Sequence, residues 1–182
     1  MKRLPTLFAC ALIAAPLWAQ DDVTRHNLEI GGGGIFPVLG YKTDEYSAGP
    51  AGRAGYEFRF IKPLGAEIGI TEAGLPFAEC DKFGCTYPRE TLRFLDYGIR
   101  GHFSRGRFDL SAGLGGGYIW FQRFAPFPNE SLLQYSAKAA IAVDHRGRFR
   151  IAFTVRTWRD LGRPTQQWLS TTGSLVLGLG RL

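Results

Sequence analysis

A run of glycines in FDLSAGLGGGYIWF, residues 108–121, is the first stretch that could support chemistry. Gly113, Gly115 and the glycines beside them come close to the GxGxxG pattern, in which backbone N–H groups cradle a phosphate. The pattern breaks because Tyr118 occupies the last glycine position and no capped amphipathic helix follows. With a period of two, the stretch instead has one apolar face and one small or polar face, which is typical of a β-strand. Phosphate binding is therefore not predicted here.

The two cysteines of CDKFGC, Cys80 and Cys85, are a second candidate. The remaining cysteine, Cys10, lies in MKRLPTLFACALIAAPLWAQ, whose basic start and short apolar core predict a secretory signal over residues 1–19. The alternatives are a buried N-terminal element and a lipid anchor at Cys10. We expect a mature domain over 20–182 that leaves the reducing cytoplasm and forms a Cys80–Cys85 disulfide. Because no histidine or second cysteine pair lies nearby, neither a metal nor a cofactor is predicted.

The elements that position such residues follow from hydrophobic alternation. Apolar residues at every second position mark about eight strands, in segments 27–38, 52–60, 64–71, 93–103, 108–121, 133–143, 149–158 and 170–182. Tight turns are predicted near Lys62, Arg105 and Arg146, and longer connections over 39–50, 72–90, 122–131 and 159–167. Short connections therefore lie at one end of the predicted structure and long ones at the other.

The second face of these strands combines glycine, alanine and charges of both signs. A soluble sandwich or a lipocalin-type barrel would expose a face rich in Lys, Glu, Thr and Ser. Glycine beside long charged residues suits the narrow lumen of an eight-stranded barrel, where it leaves them room. The apolar face would then meet lipid. Inward-facing charges are expected at Glu29, Glu57, Arg59, Glu67, Asp96, Arg100, Lys138, Arg150 and Arg156.

Opposite charges are expected to pair across this lumen, because an unpaired charge in so narrow a space is strongly penalised. The positions nearest the middle of the predicted lumen are Glu57, Arg59, Glu67, Asp96, Arg100 and Lys138. We predict that these residues form a charge network that fills the lumen.

Aromatic residues are expected to mark the two borders of the lipid-facing band. Beside the short turns lie Phe60, Phe103, Phe108 and Phe149, and beside the long connections lie Tyr41, Tyr46, Tyr87, Trp120, Phe124, Trp158 and Trp168. Sequence position therefore predicts two aromatic girdles. The alternative is that these residues are the core aromatics of a soluble sandwich.

Residues 27–182 resemble the small bacterial outer-membrane β-barrel proteins, the group that includes the OmpA membrane domain. The chain departs from that group in ending at Leu182, since its members usually end in an aromatic residue. The resemblance implies an all-β, eight-stranded antiparallel up-and-down transmembrane barrel with short periplasmic turns and longer extracellular loops. It also implies a monomer in the bacterial outer membrane, in contact with membrane lipid and lipopolysaccharide. The net charge of +6 is modest and scattered, which does not favour nucleic acid.

Members of that group include structural anchors, adhesins, narrow channels and lipid A-modifying enzymes, so the fold leaves function open. His102 and Ser104 in GHFS resemble the His-x-Ser pair of lipid A deacylases. They lie at a short turn on the predicted periplasmic side, whereas lipid A occupies the outer leaflet, and no carboxylate is evident to orient the histidine. We therefore predict a non-catalytic protein with a structural or loop-mediated binding role at the cell surface. The alternatives are a narrow channel for small solutes or hydrophobic compounds, and an envelope-lipid-modifying enzyme.

Overall fold

The computed structural model describes residues 23–39, 46–121, 130–162 and 167–182. The strands in these ranges are β1 (Thr24–Leu39), β2 (Gly49–Ile61), β3 (Leu64–Pro76), β4 (Glu79–Asp81), β5 (Gly84–Thr86), β6 (Arg89–Arg105), β7 (Phe108–Phe121), β8 (Glu130–Ala142), β9 (Phe149–Asp160) and β10 (Gln167–Arg181). The predicted signal segment 1–19, with Cys10, lies outside the described residues, as do Tyr41 and Phe124. In the described ranges, no helix is both long and apolar enough to cross a membrane.

Eight of the strands close into one barrel in the order β1-β10-β9-β8-β7-β6-β3-β2. Every neighbouring pair is antiparallel, and the barrel closes where β1 pairs with β10. The remaining strands, β4 and β5, form a separate two-stranded hairpin between β3 and β6. The predicted fold class, an all-β closed barrel of eight up-and-down strands, is confirmed.

Short and long connections lie at opposite ends of the barrel. Strands β2 and β3 are joined through Lys62 and Pro63, and β6 and β7 through Gly106 and Arg107. Gly106 has a φ of 60°, a left-handed conformation that glycine adopts without steric cost. The hairpin of β4 and β5 belongs to the opposite end, which we call the loop side; the other end is the turn side.

The glycines of β7 have a structural explanation in the contact with β6. A Cβ added at Gly115 would lie 1.9 Å from the carbonyl oxygen of Tyr97 and 2.6 Å from the Cα of Gly98. At Gly113, an added Cβ would lie 2.7 Å from Ser136 Oγ and 3.0 Å from Glu67 Oε1. The glycine run therefore allows close backbone approach and leaves space for polar side chains in the lumen.

Strands β3 and β6 extend farther than alternation predicted, into the segment expected to be a loop over 72–90. Their inward positions remain buried, apolar at Ala73 and Leu92 but charged at Glu90, and outward positions such as Glu72 and Arg93 are charged. Glu72 and Arg93 form an exposed ion pair on this outer surface, with Arg93 Nε 2.8 Å from Glu72 Oε2. The apolar half of the alternation stops here although the strands continue, which is why the prediction ended them early.

The two predicted aromatic girdles have different outcomes. On the turn side, Phe60, Phe103, Phe108 and Phe149 are exposed on the outer surface, as predicted. On the loop side, the prediction of a lipid-border position is wrong for three buried residues, Tyr46, Trp158 and Trp168. They point into the barrel, so the loop-side border has fewer aromatic residues than expected.

Candidate functional site: the barrel lumen

The six residues predicted to form the lumen charge network all face the lumen and are buried. They lie at inward positions of β2, β3, β6 and β8, and the set is Glu57, Arg59, Glu67, Asp96, Arg100 and Lys138. The period-two alternation places them there, because each has an exposed apolar neighbour on the strand, such as Phe60 after Arg59.

Arg100 on β6 is bound to Glu67 on β3 through two guanidinium nitrogens. Its Nε donates to Oε2 at 3.0 Å, and its Nη2 donates to Oε1 at 2.8 Å. The same guanidinium donates to Ser136 Oγ on β8 at 2.7 Å and to Ser111 Oγ on β7 at 3.1 Å. One arginine therefore joins four strands in the middle of the lumen.

Asp96 is bound by Arg53, a residue missing from the predicted network. Arg53 Nη1 and Nη2 donate to the two carboxylate oxygens of Asp96 at 2.6 and 2.9 Å, and Nη1 also donates to Thr71 Oγ1 at 3.0 Å. Such bidentate charge-assisted bonds are among the stronger hydrogen bonds in proteins. Arg53 precedes the outward-facing Ala54, so strict alternation identifies it as an inward residue.

Lys138 crosses the lumen to β1. Its Nζ donates to Glu29 Oε2 at 2.6 Å and lies 3.9 Å from Glu57 Oε2. Ser174 on β10 donates to the other oxygen of Glu29 at 2.9 Å. Because β9 and β10 lie between β8 and β1 in the barrel, this interaction spans part of the lumen.

The turn-side end of the lumen is organised by Asp109, a second residue that the prediction missed. Its Oδ2 accepts from Arg59 Nη2 and, at 3.2 Å, from Arg150 Nη1. Arg59 Nε also donates to Glu57 Oε1 at 2.8 Å. Asp109 is the second residue of β7, and its inward position follows from the outward-facing Phe108 and Leu110.

His102 and Ser104 do have a carboxylate beside them, contrary to the prediction, because both contact Asp109. His102 Nδ1 lies 3.2 Å from Oδ1, and Ser104 Oγ donates to the same oxygen at 3.1 Å. The other ring nitrogen, His102 Nε2, lies 3.1 Å from Glu57 Oε1. Both ring nitrogens therefore face carboxylates, and the serine is bound to the carboxylate instead of to the histidine. This arrangement differs from a nucleophile–base–carboxylate relay, in which the base contacts the nucleophile.

The loop-side end of the lumen is closed by apolar side chains. The cluster consists of Ile35, Tyr46, Ala51, Ala73, Leu75, Leu92, Phe94, Ile119, Leu132, Trp158 and Trp168. We call it the aromatic plug. Phe94 stacks on Trp158 at a centroid distance of 4.6 Å and meets Trp168 edge-on at 5.9 Å. Tyr46 packs edge-on against Trp168 at 5.7 Å, and its hydroxyl donates to the buried Glu90.

Alternation contains the signal that identifies the aromatic plug. Trp158 lies two residues after the inward-facing Arg156, and Trp168 lies two residues before the buried Ser170. The girdle prediction used distance from the long connections instead of strand parity, and it therefore gave both tryptophans the wrong face. The lumen has two layers, a charged layer toward the turn side and the aromatic plug toward the loop side.

Two small cavities lie among the polar lumen residues. One, of about 20 Å³, is lined by Arg59, Asp109 and Arg150. The other, of about 10 Å³, is lined by Glu29, Glu67 and Lys138 among others. Volumes of this size hold about one water molecule each. The free space at these two points is therefore no larger than about one water molecule each.

The Cys80–Cys85 disulfide is confirmed, and it joins β4 to β5. The hairpin that it closes carries Phe83 at its tip, with 85% of the side chain exposed, and Lys82 lies over the Phe83 ring at 5.0 Å. Tyr87, just after the hairpin, is 64% exposed. Among the described residues, no cluster of histidine, cysteine, aspartate or glutamate could hold a metal ion.

Comparison with solved structures places this architecture. Ail, the attachment invasion locus protein of Yersinia pestis, matches with a TM-score of 0.57 at 12% identity, over 86% of this chain and 100% of Ail. Neisserial surface protein A matches with a TM-score of 0.60 at 9% identity, over 86% of this chain and 98% of that protein. The chain has the fold of the small bacterial outer-membrane β-barrels. No family profile and no curated protein sequence matches it.

A second structure of Ail, in complex with the heparin analogue sucrose octasulfate, also matches, with a TM-score of 0.55 at 14% identity over 85% of this chain and 97% of Ail. At these identities the likeness extends to the fold, and function must be argued from the residues of this chain.

Proposed function

We propose that this chain is a closed, non-catalytic barrel of the bacterial outer membrane that functions through binding by its loop side. The observation that carries the proposal is that charged side chains fill the lumen toward the turn side and the aromatic plug fills it toward the loop side. A barrel without a passage presents function on its outer surface and its loops, where recognition residues concentrate in many folds.

The outer surface supports membrane anchoring. Outward-facing apolar residues such as Leu114, Ile151 and Leu175 are each about half exposed or more, which in water would be an aggregation-prone surface. In lipid the same surface is stabilising, and the turn-side phenylalanines fit an interfacial girdle. Export through cleavage of segment 1–19 belongs to this proposal.

The loop side supports binding. Phe83 and Tyr87 expose aromatic surface, and Lys82 adds a positive charge at the hairpin tip. Arg89 and Arg93 face outward on β6, beyond the last apolar outward residue, Leu95. Guanidinium groups just beyond the apolar band on the loop side suit the phosphates of lipopolysaccharide, since Arg binds phosphate in a bidentate geometry. Lipopolysaccharide is therefore the first ligand to test, with a surface protein at the hairpin as the second.

Closure is tested by recording the purified protein in planar bilayers. We expect conductance at the background level. Steady currents at the level of an open porin would contradict the proposal and favour the channel alternative.

Lipopolysaccharide binding is tested by thermal unfolding in vesicles with and without lipopolysaccharide. We expect lipopolysaccharide to raise the unfolding midpoint of the parent protein and to raise it less in an Arg89→Gln/Arg93→Gln variant. Arg148→Gln, at an exposed turn-side position, is the matched control and should respond like the parent. An equal response of all three proteins would exclude this ligand at β6.

The envelope-lipid enzyme is the weaker alternative. His102 and Ser104 lie beside a carboxylate, Asp109, that the sequence did not predict. Ser104 is bound to Asp109 and not to the histidine, however. Incubation of the parent and a Ser104→Ala variant with lipid A should give no deacylated product from either protein, and release of fatty acid by the parent alone would reverse this conclusion.

A further inference from the structure

Among the described residues in the middle of the lumen, three guanidinium groups, those of Arg53, Arg100 and Arg156, face two carboxylates, Glu67 and Asp96. Arg53 binds Asp96 through two nitrogens, and Arg100 binds Glu67 through two nitrogens. Both carboxylates are thus already engaged in short bidentate bonds. The third guanidinium, that of Arg156 on β9, is left without a carboxylate of its own.

Arg156 is fully buried, its guanidinium carbon lies 6.0 Å from the centre of the Trp158 ring, and its contacts with carboxylates are long. Its Nη2 lies 3.5 Å from Glu67 Oε2, and its Nε lies 3.7 Å from Asp96 Oδ1. Neither nitrogen has a hydrogen-bond partner among the described residues, and the side chain is 1% exposed. A buried cation in this position is costly unless another group supplies both negative charge and hydrogen-bond acceptors.

The polar side chains around Arg156 are unpartnered as well. The amide of Gln134, the hydroxyls of Thr154 and Thr172 and the indole Nε1 of Trp158 all lack hydrogen-bond partners within the described part of the chain, and all four residues are buried. Strand register brings them together. Gln134 pairs with Trp158 across β8 and β9, Thr154 pairs with Thr172 across β9 and β10, and Arg156 lies between these two rows on β9.

We propose that this group binds one small monovalent inorganic anion of the halide class inside the lumen. The groups that converge are mainly donors: a guanidinium, an indole N–H, an amide and two hydroxyls. A single negative charge balances the one guanidinium that has no carboxylate of its own. Water alone would satisfy the hydrogen bonds but would leave that guanidinium without a counter-charge of its own.

The charged groups that face Arg156 are consistent with this assignment. Glu67 and Asp96 face Arg156 from β3 and β6, but each is neutralised by its own arginine. Lys138, whose backbone pairs with Thr154, is bound to Glu29. The anion would therefore contact the unpartnered donors on β8, β9 and β10 without facing a free carboxylate.

The test uses bromide as the probe. The aromatic plug covers the site, so the full barrel is refolded in sodium bromide, desalted into gluconate, and assayed for retained bromide by X-ray fluorescence. We expect retention in stoichiometric amount by the parent. Arg156→Gln should lose it, and Arg148→Gln, which removes an exposed turn-side arginine, should keep it.

Thr172→Val keeps the side-chain volume and covers the case in which Arg156→Gln does not fold. We expect it to lower bromide retention measurably while the barrel still folds. An anomalous bromine peak beside Arg156 in crystals of the parent would locate the ion. Absence of retained bromide in the parent, equal retention by the folded variants, or a bromine peak elsewhere would each overturn the proposal.

Discussion

At the scale of single residues, the effect of a substitution on stability depends on whether the residue faces lipid, the lumen or the backbone of a neighbouring strand. Gly115 is one of the most crowded positions, because an added Cβ would lie 1.9 Å from the carbonyl oxygen of Tyr97 on β6. We expect Gly115→Ala to destabilise the barrel by about 1–3 kcal/mol, the usual range for overpacking. Gly173→Ala is the control, because nothing lies within 4 Å of an added Cβ there. Urea unfolding in lipid vesicles measures both, and equal midpoints would contradict the close-approach argument.

Buried and exposed ion pairs should differ sharply in their effect on stability. Arg100→Ala leaves the buried Glu67 without its main partner, and breaking a buried pair in this way costs about 3–5 kcal/mol. Arg93→Ala breaks the exposed pair with Glu72, where the effect is about 0–1 kcal/mol. The same urea titration compares the two variants. If Arg100→Ala were as mild as Arg93→Ala, Glu67 would have another partner or would be reached by water.

At the scale of elements, the turn between β8 and β9 contains a carboxylate whose titration can be followed. Asp144 Oδ1 accepts from the Phe149 N–H at 2.8 Å, and this bond lowers the pKa of Asp144 below its usual value. Because the folded pKa is depressed, the bond stabilises the turn above the unfolded pKa and is lost as pH falls through the folded pKa. NMR titration should show Asp144 and the Phe149 amide moving together at that low pH. In Asp144→Asn the Phe149 amide should show no such step, and a parent titration at about 3.9 would contradict the bond.

The hairpin of β4 and β5 should depend on its disulfide, whereas the barrel should not. A short closed loop removes little entropy from the unfolded chain, so the Cys80–Cys85 bond contributes less to global stability than a long-range one would. In a Cys80→Ser/Cys85→Ser variant we expect faster amide exchange in the hairpin and an unchanged midpoint of barrel unfolding. A large fall in that midpoint would show that the hairpin is part of the cooperative unit.

The strands and their faces could be predicted from sequence because the period of two is strong wherever one face is apolar. That signal weakened at Glu72 and Arg93, where the outward face becomes charged, and the ends of β3 and β6 were missed. The partners in the lumen could not be predicted, since Arg53 and Asp96 lie 43 positions apart and only the barrel register joins them. Trp158 and Trp168 could have been assigned to the lumen from their positions in the strand alternation. Residue type alone does not separate them, because the same aromatic residues serve at lipid borders and in lumens.

At the scale of the whole molecule, two layers of different chemistry close one lumen, so each should hold when the other is removed. Arg100→Ala opens the charged layer but leaves Trp158 and Trp168 packed against Phe94 above it. A Trp158→Ala/Trp168→Ala variant opens the aromatic plug but leaves the Arg53–Asp96 and Arg100–Glu67 bonds. Either change alone should therefore keep conductance in planar bilayers near background.

The combined variant, Arg100→Ala with Trp158→Ala and Trp168→Ala, should conduct measurably, because water can then enter from both ends and solvate the remaining charges. Far-UV circular dichroism and the heat-modifiable gel shift of folded barrels establish that each variant is closed into a barrel before recording. Conductance after Arg100→Ala alone would mean that the aromatic plug does not seal the loop side. Conductance after the tryptophan changes alone would mean that the charged layer is permeable, and the aromatic plug would then be the only barrier in the native barrel.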